Sequence, residues 1–255
     1  MAKRLELIPL EGFPLVEPGD NLAVQIADCL SQNGLSLCSG DVLVIAQKVV
    51  SKAEDRYVSL ADVAPGEEAQ RLAATADKDP RQVQLVLDES VEVVRVRPGV
   101  IVVEHRQGYV LANAGIDKSN IQRDPENPRV LLLPQDADAS AGALRSALAD
   151  LCGMAPQVII NDSLGRAWRN GTVGVAIGCA GIDPLHTQIG DSDLFGNVLE
   201  VTEPAVADEL AAAASLVMGQ AREACPVVLA RGASLPAAAG GSQRLIRDKA
   251  LDMFR

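Results

Sequence analysis

Aromatic side chains are nearly missing from this chain. One tryptophan, two tyrosines and three phenylalanines in 255 residues leave the core to be built from Val, Leu, Ile and Ala. Histidine is as scarce: His105 and His186 are the only two, so a Ser-His-Asp triad has little to draw on. Positive charge is in deficit too. Lys and Arg total 23 against 34 Asp and Glu, a formal charge of −11, which argues against nucleic acid or an anionic membrane as the main partner. No apolar run approaches the roughly 18 residues of a membrane span. The opening "MAKRLELIPLEG" carries no apolar stretch behind its basic residues, so it does not read as a secretion signal. The expectation is a soluble protein of the cytoplasm.

Other absences narrow the chemistry. Cys29, Cys38, Cys152, Cys179 and Cys225 are scattered and odd in number, with no CxxC or Cys/His spacing for zinc. Reduced, mostly buried thiols are expected. There is no P-loop GxxxxGK[ST], no GxGxxG behind a strand, no HExxH and no GxSxG. What is present, 48% hydrophobic and 22% charged residues, is the composition of an ordinary globular enzyme, long enough for one large domain or two interlocked ones.

Patterning predicts strands at 4–10, 40–46, 129–134, 157–162 and 226–232, and three more in "VEVVRV", "VIVVEH" and "YVLANAG". Helices are expected behind an Asp20 N-cap (stripe Leu22, Ile26, Leu30), over about 66–76, 80–89 and 140–151, and from Thr202 to Met218 with Pro204 in its first turn. "SLPAAAGGSQ" reads as a loop before a C-terminal helix. Strands and helices mix irregularly, which favours an α+β fold with mixed sheets over a doubly wound one.

Three clusters carry candidate chemistry. "NAGIDKSN" presents Asp117, Ser119 and Asn120 behind a strand, and "NDSLGRAWRNG" presents Asp162 and Ser163 behind "VII". Carboxylate, hydroxyl and amide oxygens are hard ligands suited to Mg2+ or Mn2+. Lys48, Lys52, Arg166 and Arg169, expected in loops beside strand ends, form the third cluster and suit phosphate. Plainer roles exist for each: Asx-turn bonds for the two aspartates, a solvated face for the cations, and a core or interface anchor for Trp168. The residues by themselves reach a metal-dependent phosphate or nucleotide enzyme.

In order along the chain, "PLEGFPLVEPGDNL", "DVLVIAQKVVSKAEDR", "VLANAGIDKSNI", "INDSLGRAWRNGTVGVAIGCAG", "GDSDLFGNVLEVTEPAVADELAAAASLVMGQ" and "PVVLARG" resemble the coenzyme F-420-0:L-glutamate ligase family. The resemblance implies an α+β fold without a P-loop, two interlocked subdomains and an intertwined homodimer. It implies a single ligase domain over residues 1–255 with no fused flavin-binding domain. The implied reaction joins L-glutamate to coenzyme F-420-0 with GTP as co-substrate and Mg2+ or Mn2+, a monovalent cation being a further candidate.

By position, Asp117, Asp162, Ser163 and Gln220 resemble the metal ligands. Phe13, Pro14, Leu15, Val16, Gln47, Lys48, Lys52, Asn120, Met218 and Gly219 resemble the nucleotide contacts. Asp117, Asp162, Arg166 and Arg169 are the catalytic candidates, the two arginines on charge and place alone. Ser163 stands where the family often has Thr. Gln47-Lys48 replaces smaller residues, and Gln220 is neutral where some members carry Glu. A metal-dependent phosphate hydrolase and a non-catalytic nucleotide- or deazaflavin-binding paralogue are the alternatives.

Overall fold

The computed structural model describes residues 4–122, 124–233, 235, 238 and 240–253. In chain order the elements are β1 (Glu6–Pro9), α1 (Leu22–Gln32), β2 (Val42–Ala46), α2 (Gln47–Ala53), β3 (Tyr57–Ser59), α3 (Glu67–Ala76), α4 (Pro80–Asp88) and β4 (Ser90–Arg97). There follow β5 (Val100–His105), β6 (Val110–Ala112), β7 (Arg129–Leu131), α5 (Ala137–Cys152), β8 (Gln157–Arg166), β9 (Arg169–Ala180), α6 (Val206–Met218) and β10 (Val227–Arg231). The fold is α+β with mixed sheets, as the irregular order of elements predicts.

The main sheet has strand order β1-β10-β2-β8-β9. Only β2 and β8 run parallel as neighbours; β10 is antiparallel to both β1 and β2. It follows that β1, β2 and β8 all point the same way; β1 and β2 end along one edge, and β8 crosses that edge at Asn161 and runs on to Arg166. The apolar runs of β2, β8 and β10 are buried on both faces, with Leu43, Ile45, Ile159 and Ile160 fully shielded. Each such side chain contributes roughly 1.5–3 kcal/mol relative to exposure. One face packs on α1 and α5, the other on α6. A second core gathers α3, α4 and the antiparallel β4-β5-β6 sheet beside the β3-β7 pair.

β9 is clamped between helices on both faces. A β-carbon at Gly174 would meet the Ala211 carbonyl of α6 at 2.5 Å, and one at Gly178 would meet the Ala137 carbonyl of α5 at 2.4 Å. The two glycines face opposite ways because a bulge intervenes: Asn161 pairs with Ala176 and Ile160 with Gly178, so Ile177 is skipped. The Ile177 carbonyl accepts instead from the hydroxyls of Tyr109 and Ser242.

Several boundaries differ from the sequence expectation for local reasons. Asn21, not Asp20, caps α1, accepting from the Val24 amide, which is the third helical residue. Asp20 binds the Glu17 amide and the Gln25 side chain. α6 begins at Val206 rather than Thr202, because the Thr202 and Pro204 carbonyls are drawn into backbone bonds from Gln188 and His186. α5 starts at Ala137, three residues early, behind an Asp136 cap. The expected C-terminal helix is two 3-10 turns, Ser242–Leu245 and Lys249–Leu251. Within the expected loop at 234–243, residues 234, 236, 237 and 239 lie outside the described residues. The thiols divide evenly rather than burying: Cys29 and Cys179 are buried, Cys38 and Cys152 exposed, Cys225 between.

Candidate active site

The edge at which β1 and β2 end, and which β8 crosses at Asn161, is where the chain places its polar chemistry, as open sheets with parallel strands do. β1 feeds residues 13–16, β2 runs into α2 with no intervening loop, and β8 carries Asn161, Asp162 and Ser163. The end of α6 and the start of β10 close the fourth side. Together they line a cleft of about 400 Å³. Phe13, Pro14, Leu15, Val16, Gln47, Lys48, Lys52, Asn120, Asp162, Ser163, Met218, Gly219 and Gln220 all face it. Sequence reasoning thus named most of its wall, although Lys48 and Lys52 sit on a helix and not in loops.

Asp117 reaches the same place from the second core. Its backbone pairs with Leu131 in both directions, at 2.9 and 3.0 Å, which leaves the carboxylate free of turn duties. The approach depends on a tight turn in which Asn113 and Ala114 adopt left-handed backbone and Gly115 lies against Leu133, where a β-carbon would sit 2.8 Å from the leucine. Asp117 Oδ2 accepts from Gln47 Nε2 at 2.8 Å, and Oδ1 lies 3.2 Å from Lys48 Nζ. The Asx-turn role is therefore not what Asp117 does.

Gln47 is the hinge of the cluster. It is buried, its Oε1 accepts from Ser51 Oγ at 3.0 Å, its amide nitrogen donates to Asp117, and it slightly favours the ionised form of Asp162. Burial pushes the Asp162 carboxyl up to about 6, and the charge of nearby Asp117 adds to the rise; the Ser163 amide, 2.8 Å away, opposes it. Asp117 is raised by burial as well, against the pull of Lys48. Lys52 is pushed down by burial, with the like charge of Lys48 contributing. Two carboxylates that resist ionisation, with two lysines beside them, mark a candidate functional site.

The donor set fits a hard divalent cation. Ser163 Oγ donates to Gln220 Oε1 at 2.9 Å, so both oxygens stand together beside Asp162. Among the described residues no group of three or more His, Cys, Asp or Glu side chains is placed to hold a metal. Two carboxylates with hydroxyl, amide and water oxygens are instead the partial set that Mg2+ or Mn2+ takes.

Arg166 and Arg169 are not brought into this cleft. They pair at the exposed tip of the β8–β9 hairpin, where the expected loop is a strand arm turning at Ala167 and Trp168. Trp168 is 86% exposed there, not buried in the core of the chain. Sequence reasoning missed Asn161, Arg222 and Cys225, which also line the cleft. Asn161 is buried, donates to Ser215 Oγ at 2.9 Å and to the Met218 sulfur, and so ties the end of α6 to β8. Its place in "VIIND" was the available signal: a lone amide at the end of an apolar strand.

A family model described as F420-0:Gamma-glutamyl ligase matches residues 12–232, a span that contains every residue lining the cleft. The chain is similar to the coenzyme F420:L-glutamate ligase of Methanothermobacter thermautotrophicus, 46% identical over 253 residues, 98% of this chain and 99% of the relative. It is similar to the protein of that name from Methanopyrus kandleri, 47% identical over 229 residues, 90% and 86% of the two chains. With that from Archaeoglobus fulgidus it shares 41% over 252 residues, 99% and 97%.

Proposed function

Because the chain belongs to the F420-0:gamma-glutamyl ligase family, we propose that it is a GTP-dependent ligase joining L-glutamate to coenzyme F-420-0 through a γ-linked amide. The observation that carries this reading is the cleft itself, where Asp162, Lys48 and Lys52 line the wall and Asp117 meets Gln47 and Lys48 behind it, all within the span the family model matches. A carboxylate is a poor acyl donor. Transfer of the terminal phosphoryl group of GTP to the acceptor's carboxylate oxygen releases GDP and leaves an acyl phosphate. The glutamate amine then attacks the acyl carbon, the C–O bond to phosphate breaks, and an amide and inorganic phosphate result.

Lys48 and Lys52 supply point charges for phosphate oxygens, and the burial that disfavours the Lys52 ammonium is relieved by an anion. Phe13 to Val16, Met218 and Gly219 give the apolar wall on which a base and ribose lie, with the Asn120 amide at its rim. Asp117, Asp162, Ser163 and Gln220 would hold Mg2+ or Mn2+, which when bound offsets charge on the transferring phosphoryl group. The neutral Gln220 leaves two carboxylates to balance one divalent ion.

A homodimer belongs to the same proposal. Trp168 ends the hairpin arm, and Leu194 and Phe195 are 99% and 89% exposed on the segment between β9 and α6; a second copy would cover such surface. Arg166 and Arg169 ride on that arm, so their work on phosphate or an acidic substrate depends on the arm meeting a cleft. Sedimentation velocity of the purified protein is expected to give a dimer.

The direct test is incubation with F-420-0, L-glutamate, GTP and Mn2+, followed by mass spectrometry. Added glutamyl masses are expected. Unchanged F-420-0 with every nucleotide and metal overturns the reading, and phosphate release without any amine would mark a hydrolase.

A further inference from the structure

The members of the cluster differ in how firmly they are held. Asp117 is pinned through its own backbone to Leu131, and Gln47 is buried and locked by Ser51. Asp162 rests on the Ser163 amide. Within the cluster Lys48 stands on a free tether: four rotatable bonds from α2, a side chain 28% exposed in the wall of the cleft and, among the described residues, one ion pair, with Asp117. Its ammonium lies 3.2 Å from Asp117 Oδ1, on the oxygen that Gln47 leaves free. A cation bound at Asp117 would compete with Lys48 for that oxygen.

We propose that Lys48 is a resident counter-ion of Asp117 that a divalent cation must displace, and that the phosphate-bearing ligand of the cleft takes Lys48 over once displaced. The inference rests on the metal and nucleotide reading above and adds to it a coupling. Asp117, Asp162 and Lys48 together, when all are ionised, carry a net charge of about −1. A divalent ion would neutralise both carboxylates and repel Lys48. The ammonium then needs an anion within the reach of its side chain, and Lys52, one helical turn on and facing the same cleft, marks where that anion lies. Cation and phosphate therefore bind better together than apart, because each removes the partner that the other must break. Lys48 also shields the acidic pair from casual cations while the cleft is empty of nucleotide.

The test uses Mn2+ alone, measured by electron paramagnetic resonance and calorimetry on the whole protein without nucleotide. Lys48→Met is expected to bind Mn2+ about tenfold more tightly than the wild type, a factor worth 1.4 kcal/mol. Lys52→Met is the charge-matched control: it removes the same charge from the same helix face without touching Asp117, and should gain much less. With a saturating non-hydrolysable GTP analogue the advantage of Lys48→Met is expected to disappear. Equal or weaker Mn2+ binding by Lys48→Met, or an equal gain from Lys52→Met, overturns the proposal while leaving the metal site standing. Mn2+ binding that Asp162→Asn does not weaken sinks both the proposal and the site assignment. Thermal melting of each variant checks that the fold is kept.

Discussion

Glu89 and the Asp117–Asp162 pair are carboxylates taken out of water in the same chain, and their surroundings answer that burial in opposite ways. Burial would push Glu89 up, but the His105 ring at 3.6 Å and the guanidiniums of Arg106 and Arg56 outweigh it, so its carboxyl is held down. Arg56 also donates to the Leu133 carbonyl at 2.9 Å, which ties the cluster to the chain between β7 and α5. Two guanidiniums for one acid make a closed joint with positive charge to spare. At the cleft the two acids have one ammonium, that of Lys48, in ion-pair contact, and both are raised. The lesson is one of arithmetic: a buried acid with surplus cations is held ionised and serves the fold, and buried acids with too few are raised, as groups at functional sites often are.

The comparison can be broken at either end. The largest effect is expected from Asp162→Ala: turnover in the glutamylation assay falls about a thousandfold or more, near 4 kcal/mol of transition-state stabilisation, with the circular dichroism spectrum unchanged. Normal turnover would remove Asp162 from the site. Next, Glu89→Gln strands two guanidiniums and should cost about 3 kcal/mol in urea unfolding. Because the Glu89 pKa is depressed in the fold, its contribution is present above the ordinary glutamate value and lost as pH falls through the folded one. The gap between wild type and variant should therefore narrow in acid.

Asp162→Asn sharpens the contrast with a smaller effect of opposite sign. The Asp162 pKa is raised to about 6, so its favourable contribution is complete below the ordinary aspartate value and lost as pH rises through about 6. In metal-free buffer the variant should be more stable than wild type by about 1–2 kcal/mol at pH 7.5 and equal to it near pH 4. A variant less stable at both values would refute the account of strained ionisation. Smallest of all, Arg71→Ala breaks an exposed pair with Glu68 on α3 and should leave the urea midpoint within the scatter of repeats.

Much of the site is legible in the sequence because its residues punctuate apolar runs. "VLVIA" ends at Gln47-Lys48 and "VII" at Asn161-Asp162, and both strands deliver those side chains to one edge. That Asp117 joins them is not legible. Gln47 and Asp117 stand 70 residues apart, and their meeting depends on backbone pairing with Leu131 and a left-handed turn at Asn113 and Ala114. Sheet order is equally hidden, since β10 inserts between β1 and β2 from the far end of the chain. The hairpin arm reads as a loop because "RAWRNG" has no apolar alternation; cross-strand pairing alone makes it strand. The two arginines were placed by charge and nearness in sequence, and the length of that arm carries them away from the cleft.

The scarcity of aromatics has a practical consequence at the tip of that arm. The chain's sole indole stands in solvent on the hairpin, far from either core, while Tyr109 is buried against the bulge. Intrinsic emission excited at the red edge of the absorbance band therefore reports on the arm and nothing else. It should lie near the emission of a solvated indole while the hairpin is open, shift to the blue when a second copy covers the arm, and return to the red when the fold melts. The molecule carries its own optical gauge of contact at that one point, with no label to add.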